Sequence, residues 1–231
     1  MKSKKQWMSK RIVRWWLFCA FVMILLPVQV VASPEVVVES GAMKQVRTTV
    51  EQVLSILRDK SLAAPEKRRE RRELIMARIK NAFDFVEISS RALGRNWLRL
   101  SRDERISFVG LFTAVLQHNY ISKLEAYSNE EVLFVNDELN EIVRTDPKTK
   151  ERVTTYRSTV FTDILKNDHK IPIQYKLKKV DDQWLVYDVV VEGVSLVMNY
   201  RSQFSQIYDK EKYVGLEERM KEQIRKSEES L

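Results

Sequence analysis

The sequence predicts an α+β fold in which a curled, four-stranded antiparallel sheet is covered by helices. Apolar residues recur at helical spacing through 35–127. From 131 to 192 the period changes to two, and short turns separate four runs typical of strands. Helical spacing then returns over 193–228. A block of helices, a meander of strands and a final block of helices indicate a single domain after the leader, at 33–231.

The first 32 residues have the features of a signal peptide. Six Lys and Arg side chains and no acid precede a short apolar run at 15–26, and Val30 and Ala32 suit a signal peptidase. We therefore expect export, with cleavage near Ala32. An uncleaved anchor is the alternative, although about 20 apolar residues are needed to span a bilayer.

Charge and cysteine content exclude several classes of function. Six of the 40 basic residues lie in the leader, which leaves 34 against 32 acidic residues in the mature chain. Without a basic excess we expect no nucleic-acid partner. The single cysteine, Cys19, also lies in the leader, so the mature chain has no thiol for a disulfide or a metal.

The helical half contains clear start and stop signals. Ser101 and Glu104 form the spacing of a capping box, which predicts a helix beginning there. Gly94 is expected to end the preceding helix, and Pro65 suits a first helical position.

The fourth predicted strand, QWLVYDVVV, is apolar on both faces, whereas a sheet with one solvated face should alternate. One interpretation is that one face lines an apolar hollow beneath a helix while the other packs on a second helix. The other interpretation is an ordinary strand buried on both faces.

Catalytic motifs are absent from the sequence. No phosphate-binding glycine loop, no G-x-S-x-G and no zinc-binding spacing around His118 or His169 occurs, so we expect neither cofactor nor metal. Asp188 and Glu192 are the acid/base candidates, because both lie in apolar surroundings at the end of the last strand. Structural roles are the alternative: Glu192 could cap the next helix or pair with Arg201, and Asp188 could accept hydrogen bonds.

Two stretches resemble one known family. These are ALGRNWLRLSRDERISFVGLFTAVLQHNYISKLEAY, 92–127, and WLVYDVVVEGVSLVMNYRSQF, 184–204. The second follows the pattern W-x-V-Y-D-x-x-x-E-G-V-S-L-x-x-x-Y-R-x-x-F. The chain thus resembles the MlaC/toluene-tolerance auxiliary family of periplasmic phospholipid-binding proteins.

The resemblance implies a cone like that of nuclear transport factor, with a helical addition and an apolar pocket for acyl chains. It also implies a carrier that shuttles phospholipid between an outer-membrane lipoprotein–porin complex and an inner-membrane ABC transporter with an MCE-domain subunit. Two other functions remain open. One is an isomerase-like enzyme of the same cone type that uses Asp188 or Glu192, and the other is a periplasmic adaptor with a filled core.

For the carrier we expect the acyl-chain pocket to be lined by aliphatic and aromatic side chains from both halves of the chain. For each of them, plain core packing is the alternative. The candidates are Trp97, Phe108, Phe112, Val115, Tyr120, Tyr156, Ile173, Tyr175, Tyr187, Val189, Val191, Val194, Leu196 and Val197.

Overall fold

The computed structural model describes residues 39–127, 130–167 and 169–229. The predicted signal peptide, 1–32, lies outside the described residues, so export and cleavage near Ala32 stay predictions.

Four α-helices occupy the first half of the described chain, and two of them begin or end at a signal that the sequence predicts. Pro65 begins a 3₁₀ turn just before the second helix. Ser101 accepts a hydrogen bond from the Glu104 amide while the Glu104 side chain accepts one from the Ser101 amide, so the predicted capping box is confirmed. Gly94, with φ +60°, ends the preceding helix as expected. The helices are α1 (Gly41–Arg58), α2 (Arg68–Ala82), α3 (Phe85–Leu93) and α4 (Arg102–Glu125), with 3₁₀ turns at Lys60–Leu62, Pro65–Lys67 and Gly94–Arg99.

The sheet is antiparallel throughout, and its strands lie in chain order. The α+β class and the four-stranded meander are confirmed, and the structure adds a fifth strand of two residues. Its strands are β1 (Glu131–Thr145), β2 (Arg152–Lys166), β3 (His169–Val180), β4 (Gln183–Val191) and β5 (Val194–Ser195).

The middle of strand β4, around Val186 to Asp188, is buried on both faces and is also covered along its outer edge. Val186 packs in a cluster with α1, while Asp188 and Val190 are also buried. At the outer edge the Asp84 amide donates to the Val186 carbonyl at 2.9 Å, and β5 pairs with the end of the strand. The apolar run in the sequence therefore reflects a strand that is enclosed on three sides.

The last helix, α5 (Leu196–Glu229), is folded into two arms at Lys212, whose φ of 59° and ψ of −163° are not helical. The helical spacing predicted over 193–228 is thus present in the structure, interrupted at this one residue. A non-glycine residue rarely adopts such backbone angles, which cost on the order of 1–3 kcal/mol.

Both arms of α5 pack on α4, in opposite directions. In the first arm Tyr200 accepts a hydrogen bond from Asn119, near the end of α4. The second arm begins with Tyr213, which donates to the Glu104 carbonyl in the first turn of α4, and further on Gln223 reaches Asn119. The second arm thus returns along α4 in the direction of that helix.

Two main clusters make up the core, and Phe83 packs against both. The helical cluster is formed by α3, α4 and both arms of α5, and its largest members are Phe108, Phe112, Tyr200, Phe204, Tyr208, Tyr213, Leu216 and Met220. The sheet cluster joins α1 to one face of the sheet through Ala42, Met43, Val46, Val160, Leu177 and Val186.

Candidate functional site

The face of the sheet beneath α1 carries rows of side chains that lie directly opposite one another across the strands. The row of Ser158, Leu177 and Val186 is buried. Met43 and Val46 of α1 pack on this part of the face. Here the helix and the sheet leave no accessible surface, as in an ordinary protein interior.

One row further along, the cover becomes incomplete. Val160, Tyr175 and Val189 lie opposite one another on β2, β3 and β4. Val160 is buried, whereas Tyr175 and Val189 pack against the cluster but are only half-buried.

In the next row, the side chains toward β4 and β5 are exposed to solvent. Ile173 is buried, but its neighbour Val191 on β4 is 39% exposed, and Val194, which pairs with Val191 from β5, is 62% exposed. On β3, β4 and β5 this face is therefore apolar, and it loses its cover toward β4 and β5. On β1 the same face carries Asp137, which accepts hydrogen bonds from Ser40 and Ser158. We call Ile173, Tyr175, Val189, Val191 and Val194 the open sheet face.

The one hydroxyl on the open sheet face is uncharged. Burial raises the pKa of the Tyr175 hydroxyl, and a hydrogen bond with Thr162 only partly opposes this rise. A raised pKa means that the phenol stays neutral far above physiological pH. No member of the open sheet face is an ionisable acid or base at neutral pH, so this surface suits an apolar ligand.

The helical cluster differs from the open sheet face, because aromatic side chains of the cluster fill the space between its helices. Phe108 and Phe112 are fully buried, with ring centroids 5.8 Å apart. Phe204 crosses both rings edge-on at 5.5 and 4.9 Å. Half of the predicted pocket-lining residues lie in or against this cluster: Trp97, Phe108, Phe112, Val115, Tyr120, Leu196 and Val197.

The remaining two predicted residues lie apart from both groups. Tyr156 is partly exposed at the other end of the same sheet face, beyond Ser158. Tyr187 lies beneath two guanidinium groups, those of Arg91 at 4.3 Å and Arg157 at 5.1 Å from its ring centre. The structure thus brings five of the fourteen predicted residues onto one partly open surface. Which of the fourteen touch a ligand stays a prediction.

Asp188 organises the turn that carries the open sheet face into α5. Its carboxylate accepts hydrogen bonds from the Ser195 hydroxyl at 2.7 Å and from the Val197 amide at 3.1 Å. The Ser195 hydroxyl in turn accepts from the Met198 amide at 3.1 Å. Asp188 therefore caps α5, which is one of the structural roles considered for it, and it takes the capping role suggested for Glu192.

Phe83 and Thr162 contribute to the site but were not expected from the sequence. Phe83 continues the helical spacing of Ile75 and Ile79 but was not among the predicted site residues. It lies between α2 and α3, connects the two clusters and stacks on Phe85 at 6.0 Å. Thr162 is buried beneath the sheet face and bonded to Tyr175, yet in the sequence it occupies an ordinary strand position. Only its alternation with Val160 hinted that it points inward.

The described residues offer few other sites. A groove of about 510 Å³ follows α1 and is lined by Glu51, Leu54, Ser55, Arg58 and Asp59. None of the predicted residues lines it. Within 39–127, 130–167 and 169–229, no group of three or more His, Cys, Asp or Glu side chains could hold a metal ion. No helix in the same ranges combines the length and the apolar character that crossing a membrane requires.

The fold and the open sheet face define a class of α+β proteins in which helices partly enclose the apolar face of an antiparallel sheet. The family model described as "MlaC protein" matches residues 47–222, and the chain therefore belongs to the MlaC family. The resemblance predicted from the two sequence stretches is confirmed.

A solved structure has the same fold. It is a phospholipid-binding protein from Ralstonia solanacearum, in complex with a phospholipid. The alignment has 22% sequence identity and a TM-score of 0.65, and it covers 81% of this chain and 99% of that one. No curated protein matches the chain.

Proposed function

We propose that this protein is a periplasmic phospholipid carrier that shelters acyl chains against the open sheet face. Carriage between the outer and inner membranes would maintain lipid asymmetry. The proposal depends on one observation: the side chains of one sheet face become progressively more exposed, from the buried Leu177 to Val194. Membership of the MlaC family and the phospholipid in the related solved structure support it.

The energetic need for such a surface is large. A diacyl phospholipid has about thirty methylenes, and at roughly 0.8 kcal/mol each their exposure to water costs on the order of 24 kcal/mol. A carrier has to cover most of this surface and still release the lipid. An apolar lining about as favourable as a bilayer interior meets both needs, because transfer between the two is then close to neutral.

The neutral chemistry of the open sheet face suits this role. Val189, Val191 and Val194 provide dispersion contacts without direction, and Tyr175 adds a ring whose hydroxyl bonds to Thr162. A lining without fixed charges does not select among head groups. We therefore expect acyl chains to be held inside while the head group stays near the exposed end at Val194.

The wider assignments follow from family membership and are part of the proposal. The two membrane partners are an outer-membrane lipoprotein–porin complex and an inner-membrane ABC transporter with an MCE-domain subunit. The chain acts in the periplasm after removal of residues 1–32, with residues 33–231 as a single domain. It carries phospholipid as cargo and performs no reaction of its own. Of the two acids considered for the isomerase alternative, Asp188 is engaged as a helix cap, and Glu192 is exposed.

Organic-solvent extraction of the purified protein followed by mass spectrometry tests the proposal. We expect co-purified phospholipid in the unaltered protein and its loss in Val194→Glu, because a carboxylate would meet the acyl chains. Val135→Glu is the matched control, since Val135 is a valine of similar exposure, 56%, at the bulge in β1. A lipid-free unaltered protein would support the adaptor with a filled core. Equal lipid in both variants would show that Val194 does not border the cargo.

A further inference from the structure

The three most exposed large apolar side chains of the described residues lie on segments that pack together at the start of α4. They are Leu98 at 78%, Val214 at 69% and Ile106 at 64% exposed. Leu98 belongs to the 3₁₀ turn before α4, Ile106 to the first turns of α4, and Val214 to the start of the second arm of α5.

Two hydrogen bonds hold these three segments together. Arg105 Nε donates to the Trp97 carbonyl at 3.1 Å, which ties the residue beside Ile106 to the residue before Leu98. Tyr213, next to Val214, donates to the Glu104 carbonyl at 3.0 Å. The exposed side chains therefore extend from one packed end of the fold rather than from separate loops.

Arginines accompany the exposed apolar side chains. Arg95 lies three residues before Leu98 in a 3₁₀ turn, and Arg102 lies four residues before Ile106 in α4, so each pair shares a helix face. Arg99 follows Leu98 directly. These five residues and Val214 form what we call the arginine–leucine patch: Arg95, Leu98, Arg99, Arg102, Ile106 and Val214.

The arginines of this patch are unpaired in the part of the chain that the structure describes. Among the described ranges, Arg95, Arg99 and Arg102 form no ion pair and no ring contact, and all three are exposed. Two acidic residues lie beside these arginines. Asp103 carries an opposite charge, and Glu104 accepts the capping hydrogen bond from the Ser101 amide. The patch thus carries three guanidinium groups, and no carboxylate of the described residues forms an ion pair with any of them.

We propose that the arginine–leucine patch docks the protein on an anionic lipid bilayer surface. Single apolar side chains separated by arginines do not form the contiguous packed centre that a protein interface needs. At a bilayer surface the same arrangement is favourable, because isolated apolar groups enter the head-group layer while guanidinium groups reach lipid phosphates. The docking surface is separate from the open sheet face, so this inference does not depend on the proposed cargo.

A site-specific fluorescent reporter tests the docking surface in the mature chain, 33–231. This chain has no native cysteine, so Leu98→Cys carries an environment-sensitive label at one position. Leu139→Cys provides the control, because Leu139 is an exposed leucine on β1 and does not belong to the helical cluster. On mixed phosphatidylcholine–phosphatidylglycerol vesicles, we expect a blue shift of the label at 98 and none at 139. Pure phosphatidylcholine vesicles should give little shift at either position.

Charge variants then identify the cations responsible. The triple variant Arg95→Gln, Arg99→Gln and Arg102→Gln should lower the partition coefficient about a hundredfold, as expected for three cations near an anionic surface. The control triple variant Arg68→Gln, Arg78→Gln and Lys80→Gln removes the same charge from exposed positions on α2 and should have little effect.

Several results would overturn the proposal. An equal shift of the labels at 98 and 139 would indicate adsorption through another part of the chain. Equal weakening by the two triple variants would indicate non-specific charge attraction. If the label at 98 shows no shift on either kind of vesicle, the patch does not bind a bilayer. An acidic protein surface would then be its binding partner. Solvent extraction of each variant separates this test from that of the cargo, since the phospholipid content should not change.

Discussion

The helical cluster and the open sheet face consist of similar apolar residues, but they differ in how completely they are covered. Around Phe108 and Phe112, α4 is packed by α3 and by both arms of α5, so rings fill the space. The sheet face has α1 above it, and that cover ends before Val191 and Val194. An apolar side chain therefore becomes part of the core or of a binding surface according to the number of helices and strands that pack over it.

The largest effect is expected in the helical cluster. Phe112→Ala should lower the free energy of unfolding by about 3–5 kcal/mol, because it removes a fully buried ring that contacts Phe108, Tyr200 and Phe204. Urea denaturation followed by circular dichroism measures this loss. A loss below about 1 kcal/mol would show that the cluster is loosely packed and would remove the contrast with the sheet.

The second prediction concerns the turn between the two regions. Asp188→Ala should cost about 2–3 kcal/mol, because the buried Val197 amide and the Ser195 hydroxyl lose their acceptor. Glu192→Ala is the control and should change stability by less than about 0.5 kcal/mol, since Glu192 is exposed. Comparable losses in both variants, measured by thermal unfolding, would contradict the assignment of Asp188 as the cap of α5.

The third prediction makes the same change in both regions. Val115 is fully buried in the helical cluster, so Val115→Ala should cost about 2 kcal/mol. Val189 is only half-buried on the sheet face, so Val189→Ala should cost about 1 kcal/mol or less. Chemical denaturation of the lipid-free protein is the measurement, since bound lipid would add its own stabilisation. Equal costs would mean that the sheet face is filled as tightly as the helical cluster.

The smallest effect is expected at the edge of the helical layer and depends on pH. Burial alone would raise the pKa of Glu125, but hydrogen bonds from Arg72 and Arg71 outweigh it and lower the pKa. A carboxyl with a lowered pKa stabilises the fold above its unfolded pKa, near 4.5, and that contribution is lost as pH falls through the folded pKa.

Glu125→Gln removes the carboxyl that titrates. We expect a loss of about 1 kcal/mol at neutral pH, as for an ion pair that solvent partly screens. The variant should also show a weaker decline in stability between neutral and acidic pH, which urea titrations at several pH values would measure. A decline as steep as that of the unaltered protein would exclude Glu125 as a source of acid sensitivity.

The sequence determined the local structure through short-range signals. The capping box at Ser101, the stop at Gly94 and the period-two runs of the four strands depend only on neighbouring residues, and all are present in the structure. The family was also predictable, because the stretch from Trp184 to Phe204 combines a strand, a turn and a helix in one motif.

Only the tertiary structure decided which apolar faces are filled and which stay open. Periodicity shows that Phe112 and Val189 both point away from water, but not that three helical segments surround one while the cover over the other ends nearby. The choice of Asp188 over Glu192 as the cap and the reversal of α5 at Lys212 were equally hidden. Each depends on groups that meet in space but lie far apart in the chain, whereas a sequence pattern records only neighbours along it.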